Sequence, residues 1–287
     1  MVHSLALAQG DPEPSITVIR DLTDTEYADA TEANACLYRW YRDDSLLVMA
    51  QLNYRSYREY LTYLAGKLRK AGASEDAILE SAVRGVNLRA LNLLSSVRTF
   101  LDHTETQYRR RYGNASPELR HFKGVCSRAY SGSFSYRFTY KLRNYAQHCG
   151  LPIQQVSFES RLTNRTSGVI THSFKVLCAR DHLLADFSGW GQVESELRAM
   201  PERIEIGEHL DGMMSEVQGI YRASGQPRAA ELQRAVETLS ELLRGMDLTA
   251  AHPCLVGGLE GYSESEPWNL SLSWFHLDLL EAARQIA

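Results

Sequence analysis

Long apolar stretches are missing from this sequence of 287 residues. No uninterrupted run approaches the roughly 20 apolar residues that a membrane-spanning helix needs. The first ten residues also lack the basic start and the length of a signal peptide. Hydrophobic residues make up 44% of the chain and charged residues 23%, which is enough apolar material for a full core. We therefore expect a folded, cytoplasmic protein without a membrane partner.

Paired cysteines are missing as well. The five cysteines lie far apart, and no two have the C-x-x-C spacing of a zinc site or redox motif. The sequence also has no carboxylate cluster, phosphate-binding glycine loop or nucleophile elbow. We therefore expect no disulfide framework, no metal and no cofactor. The cysteines are Cys36, Cys126, Cys149, Cys178 and Cys254.

Positive charge is concentrated in one segment. The chain has a net charge of −4, but residues 84–150 contain 12 Lys or Arg against three acidic residues. Residues 151–287 contain 11 basic against 19 acidic residues. A basic segment of this kind is typical of a surface that binds a polyanion such as RNA. Electrostatic pairing between the two halves would give the same composition, and charge alone does not decide between these interpretations.

Hydrophobic periodicity predicts a mainly α protein. Apolar positions recur at helical spacing from about 24 to 70 and from about 74 to 112, and a later helix ends at Gly150 and Pro152. Residues 155–178 are instead rich in β-formers and predict a β-hairpin. We expect a helical bundle followed by an α+β C-terminal region. The predicted divisions are a partly helical N-terminal segment at 1–45, the bundle at 46–150 and a C-terminal region of unknown role at 151–287.

The helix that ends before Gly150 has a polar row beside its apolar face. Arg137, Lys141, Asn144 and His148 follow one another at i, i+4, i+7 and i+11. A positive row that ends in a titratable histidine suits phosphate binding and proton transfer. Arg137 and Lys141 are therefore candidate RNA- or phosphate-binding residues.

The segment Arg143-Asn144-Tyr145-Ala146-Gln147-His148 resembles the signature of the HEPN superfamily. That signature is an Arg and a His separated by four to six residues, very often with Asn directly after the Arg. Three other Arg/His pairs in the chain have this spacing, but this pair has the Asn and lies late on an amphipathic helix in the most basic segment. The resemblance covers residues 46–150. It implies a helical bundle that dimerises through this helix, as in metal-independent endoribonucleases of toxin–antitoxin, abortive-infection and CRISPR systems.

The resemblance also implies a role for three residues. In the reaction it implies, the ribose 2′-hydroxyl attacks the adjacent phosphate and leaves a cyclic phosphate and a free 5′-hydroxyl. His148 would transfer a proton, Arg143 would stabilise the extra charge on the phosphate, and Asn144 would orient His148 or the phosphate. Residues five apart on a helix differ by about 140° around the axis. We therefore expect a two-fold dimer in which Arg143 of one copy lies beside His148 of the other.

Arg98 is the remaining candidate. It flanks the apolar face of the preceding helix, with Asp102 four residues further on. One interpretation is an Arg98–Asp102 ion pair that stabilises the bundle. The other is that Arg98 lines the same cleft as Arg143 and binds phosphate.

The sequence leaves three functions open. The first is a metal-independent endoribonuclease that cleaves RNA, acts as a toxin or antiviral effector, and is controlled by an antitoxin or regulatory protein. The second is a non-catalytic HEPN-like module that binds nucleotides, RNA or a protein. The third is a purely structural helical dimer in which Arg143 contacts His148.

Overall fold

A computed structural model describes residues 3–10, 15–68, 75–164, 168–248, 251–257 and 271–286. Most of the described residues are helical, as predicted, and the strands form two small antiparallel sheets. The helices are α1 Asp24–Leu68, α2 Glu75–Tyr112, α3 Pro117–Gly132, α4 Phe134–His148, α5 Arg180–Asp186, α6 Val193–Ala199, α7 Gly207–Ser224, α8 Gln226–Leu242 and α9 Leu277–Arg284. The strands are β1 His3–Gln9, β2 Ser15–Leu22, β3 Gln155–Asn164, β4 Val169–Ala179, β5 Arg203–Glu205, β6 His252–Gly257 and β7 Ser271–Trp274.

The chain divides into two compact units. One unit combines Met1–Asp44 with Gly225–Ala287, and the other is the continuous segment Ser45–Ser224. The predicted boundary near residue 151 lies inside the second unit. The chain does not divide there because the side chain of Asn87 binds the backbone just after that boundary. The buried Asn87 on α2 donates to the carbonyl of Ile153 at 2.8 Å and accepts from its N–H at 3.2 Å. The segment that follows α4 is therefore bound to the helices that precede it.

The first unit contains a sheet that the sequence did not predict. Its strand order is β2-β1-β6-β7, and every pairing is antiparallel. Leu5 and Leu255 on the central strands pack with Leu37 of α1 and with Leu239 and Leu280 of the two C-terminal helices. The predicted partly helical segment at 1–45 therefore begins with two strands. Residue 3 pairs with residue 257, and a partner so distant in sequence leaves no local pattern.

The second unit is a helical bundle with a three-stranded sheet. Strands β3 and β4 form the predicted hairpin, with Gln155 opposite Leu177 and Leu162 opposite Ile170. The short strand β5 adds to β4, and α7 begins directly after it at Gly207. The core of this unit contains large buried side chains from most of its helices.

Local capping explains how the bundle positions α4. Gly113 has φ +94°, a left-handed conformation that ends α2, and Ser116 then accepts from the N–H of Leu119 to cap α3. Ser133 caps α4 by accepting from the N–H of Tyr136 at 3.3 Å. These two turns set the direction in which α4 returns against α2.

Candidate active site

A small cleft lies between α2 and α4, with one side chain from α7. Its floor is apolar, formed by Leu94, Val97, Leu101 and Met213. Its polar lining comes from Arg98, Thr139, Tyr140, Arg143 and the hydroxyl-bearing Tyr136. The internal space is about that of one water molecule. Two of the six predicted site residues, Arg98 and Arg143, are therefore brought together on opposite walls of one cleft.

Arg98 forms the ion pair of the first interpretation and lines the cleft with Arg143, while its predicted binding of phosphate stays a prediction. Its Nε donates to Oδ2 of Asp102 at 2.8 Å, which is the predicted ion pair. Its Nη1 donates to the hydroxyl of Tyr140, and its guanidinium lies 4.8 Å from the centre of that ring. The side chain nevertheless lines the cleft, so Asp102 and Tyr140 fix the position of a cation in the cleft that Arg143 also lines.

Arg143 is the least satisfied cation of the cleft. Its Nη1 donates to Oδ1 of the neighbouring Asn144 at 3.4 Å, a long hydrogen bond to a neutral acceptor. Its Nε is buried and has no hydrogen-bond partner among the described residues. A buried donor without an acceptor costs free energy, and an anion in the cleft would remove that cost.

His148 lies apart from the cleft. It is the last residue of α4, it is exposed, and its side chain makes no hydrogen bond or ion pair within the part of the chain that the structure describes. The cleft lining does not include it. Asn144 is hydrogen-bonded to Arg143, so its observed contact orients the arginine, whereas the sequence placed it on His148 or the phosphate. Within one chain, Arg143 and His148 do not share a site.

Arg137 makes structural contacts, and its predicted role as a phosphate ligand stays a prediction. Its Nε and Nη2 donate to the two carboxylate oxygens of Glu196 on α6, the first at 2.7 Å. Its Nη1 donates to the carbonyls of Tyr130 and Ser131 at the C-terminal end of α3, each at 3.1 Å. Only 13% of the side chain is exposed. Glu196 also raises the pKa of Arg137, because the ion pair favours the charged form.

Lys141 is not part of the cleft either. Its Nζ lies beside Gly191, 3.9 Å from the position that a β-carbon would take there. No ion pair joins it to a described residue. Lys141 therefore lies beside the turn at Gly191, outside the cleft lining and without an ion pair to any described residue.

Tyr140 is the site residue that sequence reasoning missed. A signal was present, because Tyr136, Tyr140 and Arg143 have the four-then-three spacing of one helix face. The polar row through His148 is the adjacent face, and that row drew the prediction toward Arg137 and Lys141. The face that meets α2 is instead the one that carries Arg143.

One of the other Arg/His pairs, Arg203 and His209, makes structural contacts, whereas Arg165 of a second pair lies outside the described residues. His209 lies on α7, accepts from or donates to Ser135 Oγ at 2.9 Å through Nδ1, and meets the rings of Phe134 and Phe138 edge to face. Burial lowers the pKa of His209. Arg203 is exposed on β5 and donates to Gln155. This pair is not a catalytic unit.

Much of the positive charge near the cleft is paired locally. Glu105 contacts both Arg109 at 2.6 Å and Lys123 at 3.2 Å. Arg84 and Arg128 are exposed and form no ion pair within the described ranges. The basic segment therefore retains exposed cations on α2 and α3 as well as those in the cleft.

No protein-family model, curated protein or solved structure matches this chain. The resemblance to the HEPN superfamily accordingly stands on the segment Arg143–His148 and its place on α4. Among the described residues, no three His, Cys, Asp or Glu side chains lie close enough together to hold a metal ion. No helix in these ranges is both long enough and apolar enough to cross a membrane.

Proposed function

We propose that this chain is a metal-independent endoribonuclease of HEPN type, and that RNA is its substrate. The observation that supports the proposal is the cleft that Arg98 and Arg143 both line, in which the buried Nε of Arg143 has no hydrogen-bond partner among the described residues. Two guanidinium groups beside an apolar floor suit a phosphate diester, whose oxygens accept hydrogen bonds in the geometry that arginine offers.

The proposed reaction needs the ribose 2′-hydroxyl. Its oxygen attacks phosphorus, the bond to the 5′-oxygen breaks, and the 5′-oxygen leaves with a proton. Arg143 stabilises the negative charge that develops on the phosphate, and Asn144 holds Arg143. His148 takes the 2′-hydroxyl proton or protonates the leaving oxygen. DNA lacks the 2′-hydroxyl and is not a substrate by this route.

A second copy of the chain completes the proposed site. Arg143 points to α2 and His148 is exposed at the end of α4, so the two side chains leave the helix in different directions. In a two-fold dimer through α4, His148 of one copy reaches the cleft of the other. A nuclease of this kind damages its host when free, so the proposed cellular role is that of a toxin or antiviral effector held by an antitoxin or regulatory protein.

The test is cleavage of labelled single-stranded RNA in EDTA. Purified wild type should leave cyclic-phosphate ends, whereas His148→Ala and Arg143→Ala should not cut and should remain folded by circular dichroism. His182→Ala is the matched control, because His182 is an exposed histidine on α5 outside the cleft. Equal cleavage by the wild type and His148→Ala would refute the proposal.

Mixing two inactive variants tests the composite site. A dimer of one Arg143→Ala chain and one His148→Ala chain contains one site with both residues intact. Random exchange makes half of the dimers mixed, so activity should return to about a quarter of the wild-type level. A site built within one chain would stay inactive after mixing.

A non-catalytic RNA-binding module is the second candidate. The position of His148 outside the cleft favours it, because the cleft offers two arginines to a phosphate but supplies no histidine for proton transfer. This function predicts RNA binding that is lost in Arg143→Ala, is unchanged in His148→Ala, and occurs without cleavage in the wild type.

A further inference from the structure

The solvent side of α1 carries a row of large apolar side chains. Within the part of α1 that belongs to the second unit, Val48 is 38% exposed, Met49 and Leu52 are each 52% exposed, and Tyr63 is 55% exposed. Scattered exposed apolar residues need no explanation, but these four lie on one strip of a single helix. We call the strip from Val48 to Tyr63 the α1 seam.

Two unpaired charges lie in the α1 seam. Arg55 and Glu59 are exposed and one turn apart, yet they form no ion pair with each other or with any described residue. The neighbouring Arg58 points to the other side, where it pairs with Asp211 of α7 at 3.1 Å. Positions 48, 52, 55 and 59 have the four-three-four spacing by which helices pack along a seam.

The charges of the seam are self-complementary. If a second copy of α1 packs antiparallel about a two-fold axis, Arg55 can lie opposite Glu59 of the second copy, and Glu59 opposite its Arg55. In that register Leu52 lies opposite Thr62 and next to Tyr63 of the second copy. This arrangement forms two ion pairs between Arg55 and Glu59, one on each side of the two-fold axis, and covers the apolar side chains.

We propose that the α1 seam docks against a second copy of this chain in antiparallel orientation. This surface is distinct from the α4 contact of the proposed nuclease and does not depend on that function. Used together, the two contacts would give an assembly larger than a dimer. The seam is a single helix pair, at the small end of stable interfaces of about 1,200–2,000 Å², so the association should depend on protein concentration.

Charge reversal tests the proposed register. The single variants Arg55→Glu and Glu59→Arg each place like charges opposite one another at both ends, so each should halve the molar mass measured by light scattering or sedimentation. Mixing the two single variants restores opposite charges, as does the double variant Arg55→Glu/Glu59→Arg. Both should return to the wild-type mass.

A second disrupting variant and a control variant complete the experiment. Leu52→Asp should also halve the mass, because it places a charge in the apolar part of the seam. Arg84→Glu makes the same charge change on the exposed face of α2, outside the seam, and should leave the mass unchanged. All variants alter exposed side chains, and circular dichroism confirms that they fold. If Arg55→Glu, Glu59→Arg and Leu52→Asp all have the same mass as the wild type, the proposal is wrong. The same result is expected if the seam binds a different protein and not a second copy of this chain.

Discussion

Replacing Arg137 with alanine separates a structural role from a phosphate-binding role. The change removes the two hydrogen bonds to Glu196 and the two to the carbonyls that end α3. Charge-assisted hydrogen bonds contribute about 1.5–3 kcal/mol each when buried. Glu196 is 36% exposed and can be rehydrated, so much of that contribution is recovered from water. We expect the free energy of unfolding to fall by about 2–3 kcal/mol.

The assay is urea unfolding followed by circular dichroism, together with RNA binding under native conditions. Glu196→Gln provides a double-mutant cycle, and a coupling of about 1–2 kcal/mol is expected for residues in direct contact. Arg137→Lys keeps the charge but loses the paired donors, so its free energy of unfolding should lie between those of the wild type and Arg137→Ala. RNA affinity should be unchanged in all of them. A stable Arg137→Ala protein that has lost RNA binding tenfold or more would show that Arg137 binds phosphate.

Two further predictions concern stability. Asn87→Ala leaves the buried N–H and carbonyl of Ile153 without their side-chain partner, so the free energy of unfolding measured in urea should fall by about 2–4 kcal/mol. Asn92→Ala, on the exposed side of α2, is the control and should have little effect. Burial lowers the pKa of His209, so the unfolded chain binds its proton more readily than the folded chain. Stability from this group is therefore complete above about pH 6.5 and falls as the pH decreases below it. His209→Gln should flatten the decline of the urea midpoint between pH 7.5 and pH 5, and an unchanged slope would contradict this account.

Local sequence patterns were sufficient to predict several helices and a hairpin. They were insufficient to predict which distant segments pack or pair with one another. The helices α1, α2 and α4 and the β3–β4 hairpin were predicted because their periodicity and their end signals lie within each segment. The sheet of the first unit was not predicted, because β1 pairs with β6 across almost the whole chain. The division into units was missed for the same reason, since one unit is built from both ends of the sequence.

The candidate site shows the same limit at the level of single side chains. One of the two interpretations of Arg98 was that it lines the same cleft as Arg143, and both side chains do line one cleft. It could not identify the partner of Arg137, since Glu196 is 59 residues away. Helical spacing shows which residues share a face of α4. It does not show which face meets α2, and that choice separates Arg143 from Arg137.

The two candidate functions differ in whether they need a dimer formed through α4. In both, RNA affinity depends on Arg98 and Arg143, because they alone face each other across the cleft. Cleavage requires in addition a histidine close to the bound phosphate, and His148 is exposed at the end of the helix. A second copy docked along α4 supplies that histidine, whereas a chain that associates only through another surface does not. RNA affinity should therefore persist in the monomer, and cleavage should increase with protein concentration as the α4 contact forms.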